Sequence, residues 1–344
     1  MIVKTIVLTI YFSILLGIGF FASRRIKNIS DYYVGGKKLN YWIAALSARS
    51  TGESGWLLIG VTGMGALIGV SAMWIVVGEV IGVFFSWQYM AKKFKRLTNE
   101  YNSITIPDFL VSHFRPSTNL IRILSATALS LFVVIYVSAQ IDITGKTFES
   151  FLGFNYYTGI AIGFGIVVLY IFSGGFLAVA WSDIFQGSLM FIALLLLPII
   201  AFFGLSSDVS IINGLKAIDP ALLNIWGPGG FNWINFATVA GLVSIGIGFL
   251  GSPQVYVRFI AIESEDEVKK GKWVAIVYTL LTDTAAVMIG ILGRYILTKS
   301  GQNPEVVLGT AGENVLAMLL NQVMPVVIIC LLYTSPSPRD QRGS

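Results

Sequence analysis

Four ionisable side chains sit inside otherwise apolar stretches: Arg49, Glu53, Glu79 and Asp283. An ionised group at the bilayer centre costs at least about 3 kcal/mol, and is kept there by a partner or by a transport role. With all four ionised, one cation against three anions leaves a surplus of two negative charges. That surplus attracts a small cation or is relieved by protonation. Arg49 has two open roles: neutralisation by one or more of the acids, or bidentate capture of a solute carboxylate. An ion-pair network with no transport role is the third reading of the same residues.

Two helix-weakening stretches accompany these charges. Residues 45–56 carry Ser47, Ser50, Thr51, Gly52, Ser54 and Gly55 at what should be membrane depth, and residues 246–254 carry Gly246, Gly248, Gly251 and Pro253. Small hydroxyl residues solvate freed backbone groups, and proline removes a helical hydrogen bond. Two interrupted helices, five spans apart, point to an inverted-repeat transporter with a midplane site. There, unwound carbonyls bind a cation and half-helix ends orient an anionic group. Close helix packing through small residues is the alternative.

The elements that must position these residues follow from composition. Of 344 residues, 55% are hydrophobic and only 12% charged, with a mean hydropathy of +0.78. A soluble domain carries about 25% charged residues, so the bilayer is the expected solvent. One cysteine, Cys330, and one histidine, His113, leave no disulfide framework and no ordinary zinc site. There is no phosphate-cradling glycine loop with lysine, and the net charge of +5 lies in loops rather than in a nucleic-acid stripe.

Apolar runs lie at 2–22, 41–70, 72–91, 119–145, 156–176, 180–205, 234–260, 273–297 and 313–332. The charge following the first run marks an uncleaved span rather than a signal peptide. Arg24, Arg25, Lys27, Lys37 and Lys38 follow span 1, Lys92, Lys93, Lys95 and Arg96 follow span 3, and Lys269, Lys270 and Lys272 precede span 8. By the positive-inside rule those loops are cytoplasmic and the N-terminus is outside.

In order and spacing, several stretches resemble the sodium/solute symporter family, and within it the sodium/proline symporter branch. They are Asp31-Tyr32-Tyr33-Val34-Gly35-Gly36, Ser54-Gly55-Trp56-Leu57-Leu58, Glu100-Tyr101-Asn102 and Pro107-Asp108-Phe109. Further on come Gly174-Gly175-Phe176-Leu177-Ala178-Val179 with Trp181, Asp183 and Gln186, then Gly251 with Pro253 and Arg258. The resemblance covers residues 1–330. It implies an all-α polytopic membrane protein with a LeuT-like inverted-repeat core beginning at span 2, cut short within the second repeat. It also implies sodium-coupled symport of a small organic solute, an amino acid such as proline first, by alternating access in the cell membrane. No enzyme activity, cofactor or nucleic-acid partner is expected. Sodium is the expected coupling ion and protons are the alternative. A transporter-like sensor module of a signalling kinase is the competing function.

Residue by residue, the family's sodium-ligand positions match Ser50 and Glu53, and its substrate positions match Ser54, Gly55, Trp56, Tyr136, Ile245 and Phe249. The branch has an aspartate important for sodium where this chain has Gly52, and its tryptophan and tyrosine in span 7 are replaced by Ile245 and Phe249. Glu53 is the neighbour that can take over from the aspartate. Lys37 matches the branch's arginine in loop 1–2. Asp183 either caps the start of span 6 or belongs to an inner gate. Residues 331–344 are expected to be a polar, non-native tail.

Overall fold

A computed structural model of the chain describes residues 2–205 and 210–323, without the side chains of residues 2–4, 53, 54, 147 and 150–152. The expected tail, and the end of the last apolar run, lie outside the described residues. Within them the regular structure is helical, apart from one parallel β-bridge between Leu39 and Ile262.

Helix α1 (Ile2–Ser23) is followed by the short α2 (Ile29–Val34), then by α3 (Tyr41–Gly55). A π-helical turn, Trp56–Val61, joins α3 to α4 (Thr62–Ile68). Next come α5 (Met73–Phe85), a second π turn at Ser86–Ala91, α6 (Lys92–Glu100) and α7 (Ile106–Phe114). Two long helices, α8 (Leu120–Leu152) and α9 (Tyr156–Phe203), lead to the short α10 (Ile211–Ile218). Then follow α11 (Trp233–Gly248), α12 (Pro253–Ala261), α13 (Glu265–Lys299), α14 (Pro304–Leu308) and α15 (Val315–Val323).

Among the described residues, six stretches are long and apolar enough to cross a membrane, the longest being the 48 residues of α9. At about 1.5 Å per residue α9 is more than twice as long as the hydrocarbon is thick, so it cannot be one crossing. Its break is Gly175, at φ 52° and ψ −150°, a conformation open in practice only to glycine. Gly69, at φ 59°, likewise separates α4 from α5. The runs expected at 41–70 and 72–91, and at 156–176 and 180–205, are therefore distinct segments.

Helix packing depends on small residues. A Cβ on Gly246 would lie 2.0 Å from the Gly78 carbonyl carbon, so α11 meets α5 backbone to backbone. Gly290 of α13 meets Thr62 of α4 in the same way. The apolar core lies where α4, α5, α9 and α13 converge, around Leu58, Ile75, Leu194 and Val287. In contrast, α8 exposes Leu124, Leu131, Phe132 and Ile135, as a lipid-facing helix does.

The expected break in span 7 is present. Phe249–Gly251 forms a 3-10 turn, Ser252 is extended, and Pro253 starts α12, where its missing N–H costs nothing. The irregularity in span 2 takes another form from the one expected. Residues 41–55 stay α-helical, and the helix widens into a π turn only after Gly55. Thr62 donates its hydroxyl back to the Leu58 carbonyl, and the Trp56 ring lies over Gly60. Side-chain donation to a local carbonyl and a ring filling the widened turn stabilise a π bulge where unwinding was expected.

Candidate functional site

The last turn of α3, just before the π turn of span 2, meets the break of span 7 at Gly52. A Cβ added there would sit 2.6 Å from Cε1 of Phe249. The Arg49 guanidinium lies over the same ring, 5.4 Å from its centroid. From α5, Glu79 reaches in and accepts from Arg49 Nη2 at 3.2 Å, with both side chains buried. Its other oxygen accepts from Trp56 Nε1 at 3.4 Å. Of the acids expected to neutralise Arg49, Glu79 does so. Asp283 is fully buried on α13 and accepts from Thr282 Oγ1 at 3.3 Å. The side chains of Glu53 and Ser54 lie outside the described residues, so their expected roles stay with the sequence.

The expected substrate positions divide. Trp56 and Phe249 belong to the Arg49–Glu79 cluster. Tyr136 of α8 donates to the Thr51 carbonyl at 3.3 Å and lines a cavity of about 500 Å³ with Gly248, Ser252 and Gln254 at the span 7 break. Gly55 is a contact point: a Cβ there would meet Ile143 of α8 at 2.7 Å. Ile245 packs against the apolar core. Ser50 packs on Gly187 of α9, and its hydroxyl donates to the Asp183 carbonyl at 3.2 Å.

A second cluster lies nearer the basic face. Arg258 of α12 is 1% exposed, as is Asp183 of α9, and Nη2 meets Asp183 Oδ2 at 3.0 Å. The same guanidinium donates to Thr51 Oγ1 at 2.7 Å, Ser47 Oγ at 3.0 Å and the Gln254 carbonyl at 3.0 Å. The Ser47 hydroxyl donates in turn to Asp183. Asp183 is therefore no helix cap. The helix restarts at Gly175, two turns earlier, which places Asp183 within the second segment of α9 rather than at its start.

The loops add contacts between the same elements. Leu39 N–H donates to the Ala261 carbonyl and Glu263 N–H to the Leu39 carbonyl. Lys37 Nζ reaches the Thr98 carbonyl at 3.0 Å, and burial holds its pKa below the ordinary lysine value. Together these contacts tie α3, α9 and α12 to the neighbouring loops on the basic side.

The sequence assigned no site role to Arg258, named only as a motif residue, to Ser47 and Thr51, named only as helix-weakening residues, or to Gln140. Arg258 lay inside the apolar run 234–260, which is itself a signal for an intramembrane partner. Ser47 and Thr51 are four apart and so share a helix face. Gln140 is 4% exposed, and its Oε1, beside Gly55, has no hydrogen-bond partner among the described residues. A glutamine on an otherwise apolar helix is a weak signal by itself.

The model of the sodium:solute symporter family matches residues 32–336. The chain belongs to the sodium:solute symporter family. Among curated relatives of this symporter-family chain, the high-affinity proline transporter PutP of Bacillus subtilis is 35% identical over 333 residues, covering 93% of this chain and 69% of that protein. The osmoregulated proline transporter OpuE of the same organism is 33% identical, covering 87% and 61%. The sodium/proline symporter of Escherichia coli is 34% identical, covering 80% and 54%. The chain thus spans roughly half to two thirds of the length of these relatives.

The fold is that of a solved symporter. A substrate-bound, outward-open Na+-coupled sialic acid symporter matches with a TM-score of 0.81 at 19% identity, over 99% of this chain and 70% of that one. The family and the LeuT-like helical fold expected from the motifs are those found.

Proposed function

We propose that the protein carries a small organic solute across the cell membrane in symport with sodium, by alternating access, with its N-terminus outside. The observation that carries this reading is the meeting of two irregular helices at one buried polar point: Phe249 of the span 7 break against Gly52, with Arg49 and Glu79 alongside. In this reading Trp56, Phe249 and Tyr136 line the solute path, and the Arg258–Asp183 cluster is the closed inner gate.

An amino acid is the favoured solute, with proline first because the relatives are named for it. Phe249 and Ile245 bring no hydroxyl or indole donor, so the polar partners for a solute among the described side chains include Arg49, Glu79, Trp56, Tyr136 and Gln140. Sodium held by the carbonyls of Ser50 and Glu53 would require α3 to open where it is now helical. The sensor alternative draws no support from the relatives, which are named as transporters.

The test is L-proline uptake into proteoliposomes holding this chain, under an imposed sodium gradient. Uptake that follows sodium, and that falls at least about tenfold in Trp56→Ala, a loss of about 1.4 kcal/mol, supports the reading. Uptake driven equally by an acid-outside gradient without sodium would replace sodium by protons. A kinetically silent chain that binds neither sodium nor proline would overturn the assignment for this chain.

A further inference from the structure

Where α1 leaves the membrane, Arg24, Arg25, Lys27 and Lys38 surround a cavity of about 580 Å³. Its apolar wall is Leu177 and Ile43, and Trp181 closes one side. The four cations form no ion pair among the described residues. Arg24 lies over the Phe20 ring at 4.4 Å and Arg25 over the Trp181 ring at 5.1 Å. The one acid present, Asp31, is turned to the loop backbone and accepts from Lys27 N–H at 3.0 Å. Four cations against one anion leave three uncompensated positive charges around one hollow. This contrasts with the other basic segments, where Lys92, Lys269 and Lys270 each have an acidic partner.

We propose that this hollow binds the headgroup of an anionic phospholipid. The geometry commits to a lipid rather than to free phosphate. Directly on the membrane side of the cations, the last turn of α1 exposes Phe20 and Phe21, at 54% and 62%. A phosphodiester seated among the guanidinium and ammonium groups would lay its acyl chains over these rings. Arginine presents paired donors to phosphate oxygens, and an interfacial tryptophan marks headgroup depth. Basic pockets between transmembrane helices take anionic headgroups for these reasons. The site is separate from the solute path, and it ties α1 to the loop before span 2 and to the start of span 6. An occupied site would clamp three elements that border the proposed inner gate.

The test is native mass spectrometry of the full 344-residue chain, titrated with phosphatidylglycerol, with phosphatidylcholine of the same acyl chains, and with inorganic phosphate. The expected result is one retained phosphatidylglycerol, held at least about tenfold more tightly than phosphatidylcholine. Each removed charge should weaken it about fivefold. The triple variant Arg25→Gln, Lys27→Gln, Lys38→Gln should lose on the order of a hundredfold. Its unfolding temperature in phosphatidylcholine should be unchanged, and if it is not, the single variants Lys27→Gln and Lys38→Gln at exposed positions carry the test. Changing Lys92, Lys93 and Arg96 to Gln should leave the adduct intact. Equal retention of both lipids, equal loss in the two triple variants, or competition by millimolar phosphate would each overturn the proposal.

Discussion

The ring of Phe249 occupies the space that any side chain at position 52 would need: a Cβ on Gly52 would lie 2.6 Å from Cε1. The two positions that the resemblance marks as departures from the proline branch, Gly52 in span 2 and Phe249 in span 7, therefore meet in space. Gly52→Asp alone should destabilise the protein by about 1–3 kcal/mol through overpacking. Combined with Phe249→Ala it should recover part of that loss, with a coupling of about 1–2 kcal/mol. Thermal unfolding of the two single variants and the double variant in detergent checks this. Strictly additive effects would show that the two positions do not share the space.

Arg49 and Glu79 pose a different case, since both are charged and buried. Removing one partner strands the other, which costs about 3–5 kcal/mol, whereas replacing both with apolar groups is often neutral. Glu79→Gln should thus be more damaging to stability than the pair Arg49→Met with Glu79→Leu. Trp56 supplies an independent readout, because its Nε1 donates to Glu79. The double replacement should shift its emission in a Trp56-dependent way. If Glu79→Gln were harmless, the pair would not be the neutralising contact.

The sequence carried the crossings well, because an apolar run of about 20 residues has one stable solution in a bilayer. It also carried the regions of the irregularities in spans 2 and 7, though not of the π turn at Ser86–Ala91, since glycine, proline and small hydroxyl residues act locally. The form of the span 2 irregularity was not legible: a π turn at 56–61 depends on Trp56 folding back over Gly60. The need for Arg49 to have a partner was legible, but the choice of Glu79 depends on how α3 and α5 are rotated. Asp183 was misplaced because its depth is set by Gly175, and the sequence does not mark which of Gly174 and Gly175 takes the positive φ. The Gly52–Phe249 contact lies between two helices nearly two hundred residues apart and has no local signature.

Gly246 and Gly248 are two residues apart on α11 and should behave oppositely. A Cβ on Gly246 would lie 2.0 Å from the backbone of Gly78, whereas nothing lies within 4 Å of one on Gly248. Gly246→Ala must force α11 off α5 and should cost about 1–3 kcal/mol or more. Gly248→Ala should be neutral or slightly stabilising, because alanine favours the helix by up to about 1 kcal/mol over glycine. Unfolding temperatures in detergent decide it. Equal destabilisation by the two would mean that flexibility before the span 7 break, rather than close packing, is what glycine supplies.

The last relationship bears on transport itself. Arg258 joins α12 to Asp183 on α9 and to Ser47 and Thr51 on α3, so this one guanidinium holds spans 2, 6 and 7 together near the basic face. Under the proposed function, solute leaving on that side would require these contacts to part, and they would have to hold while the other side is open. Arg258→Ala leaves a buried carboxylate facing the Ser47 hydroxyl and should cost about 3–5 kcal/mol. Asp183→Asn with Arg258→Gln removes both charges, keeps hydrogen-bonding groups in place, and should cost less than the sum of its parts, with a coupling of about 1–3 kcal/mol. If the cluster is the inner gate, the double variant should also leave that gate ajar. Ala48→Cys, buried on α3 and placed in a background lacking Cys330, should then react faster with a membrane-impermeant thiol reagent applied from the basic face. Stability coupling without a change in labelling would make the cluster a structural tie. A change in labelling specific to that face would make it the element that alternates.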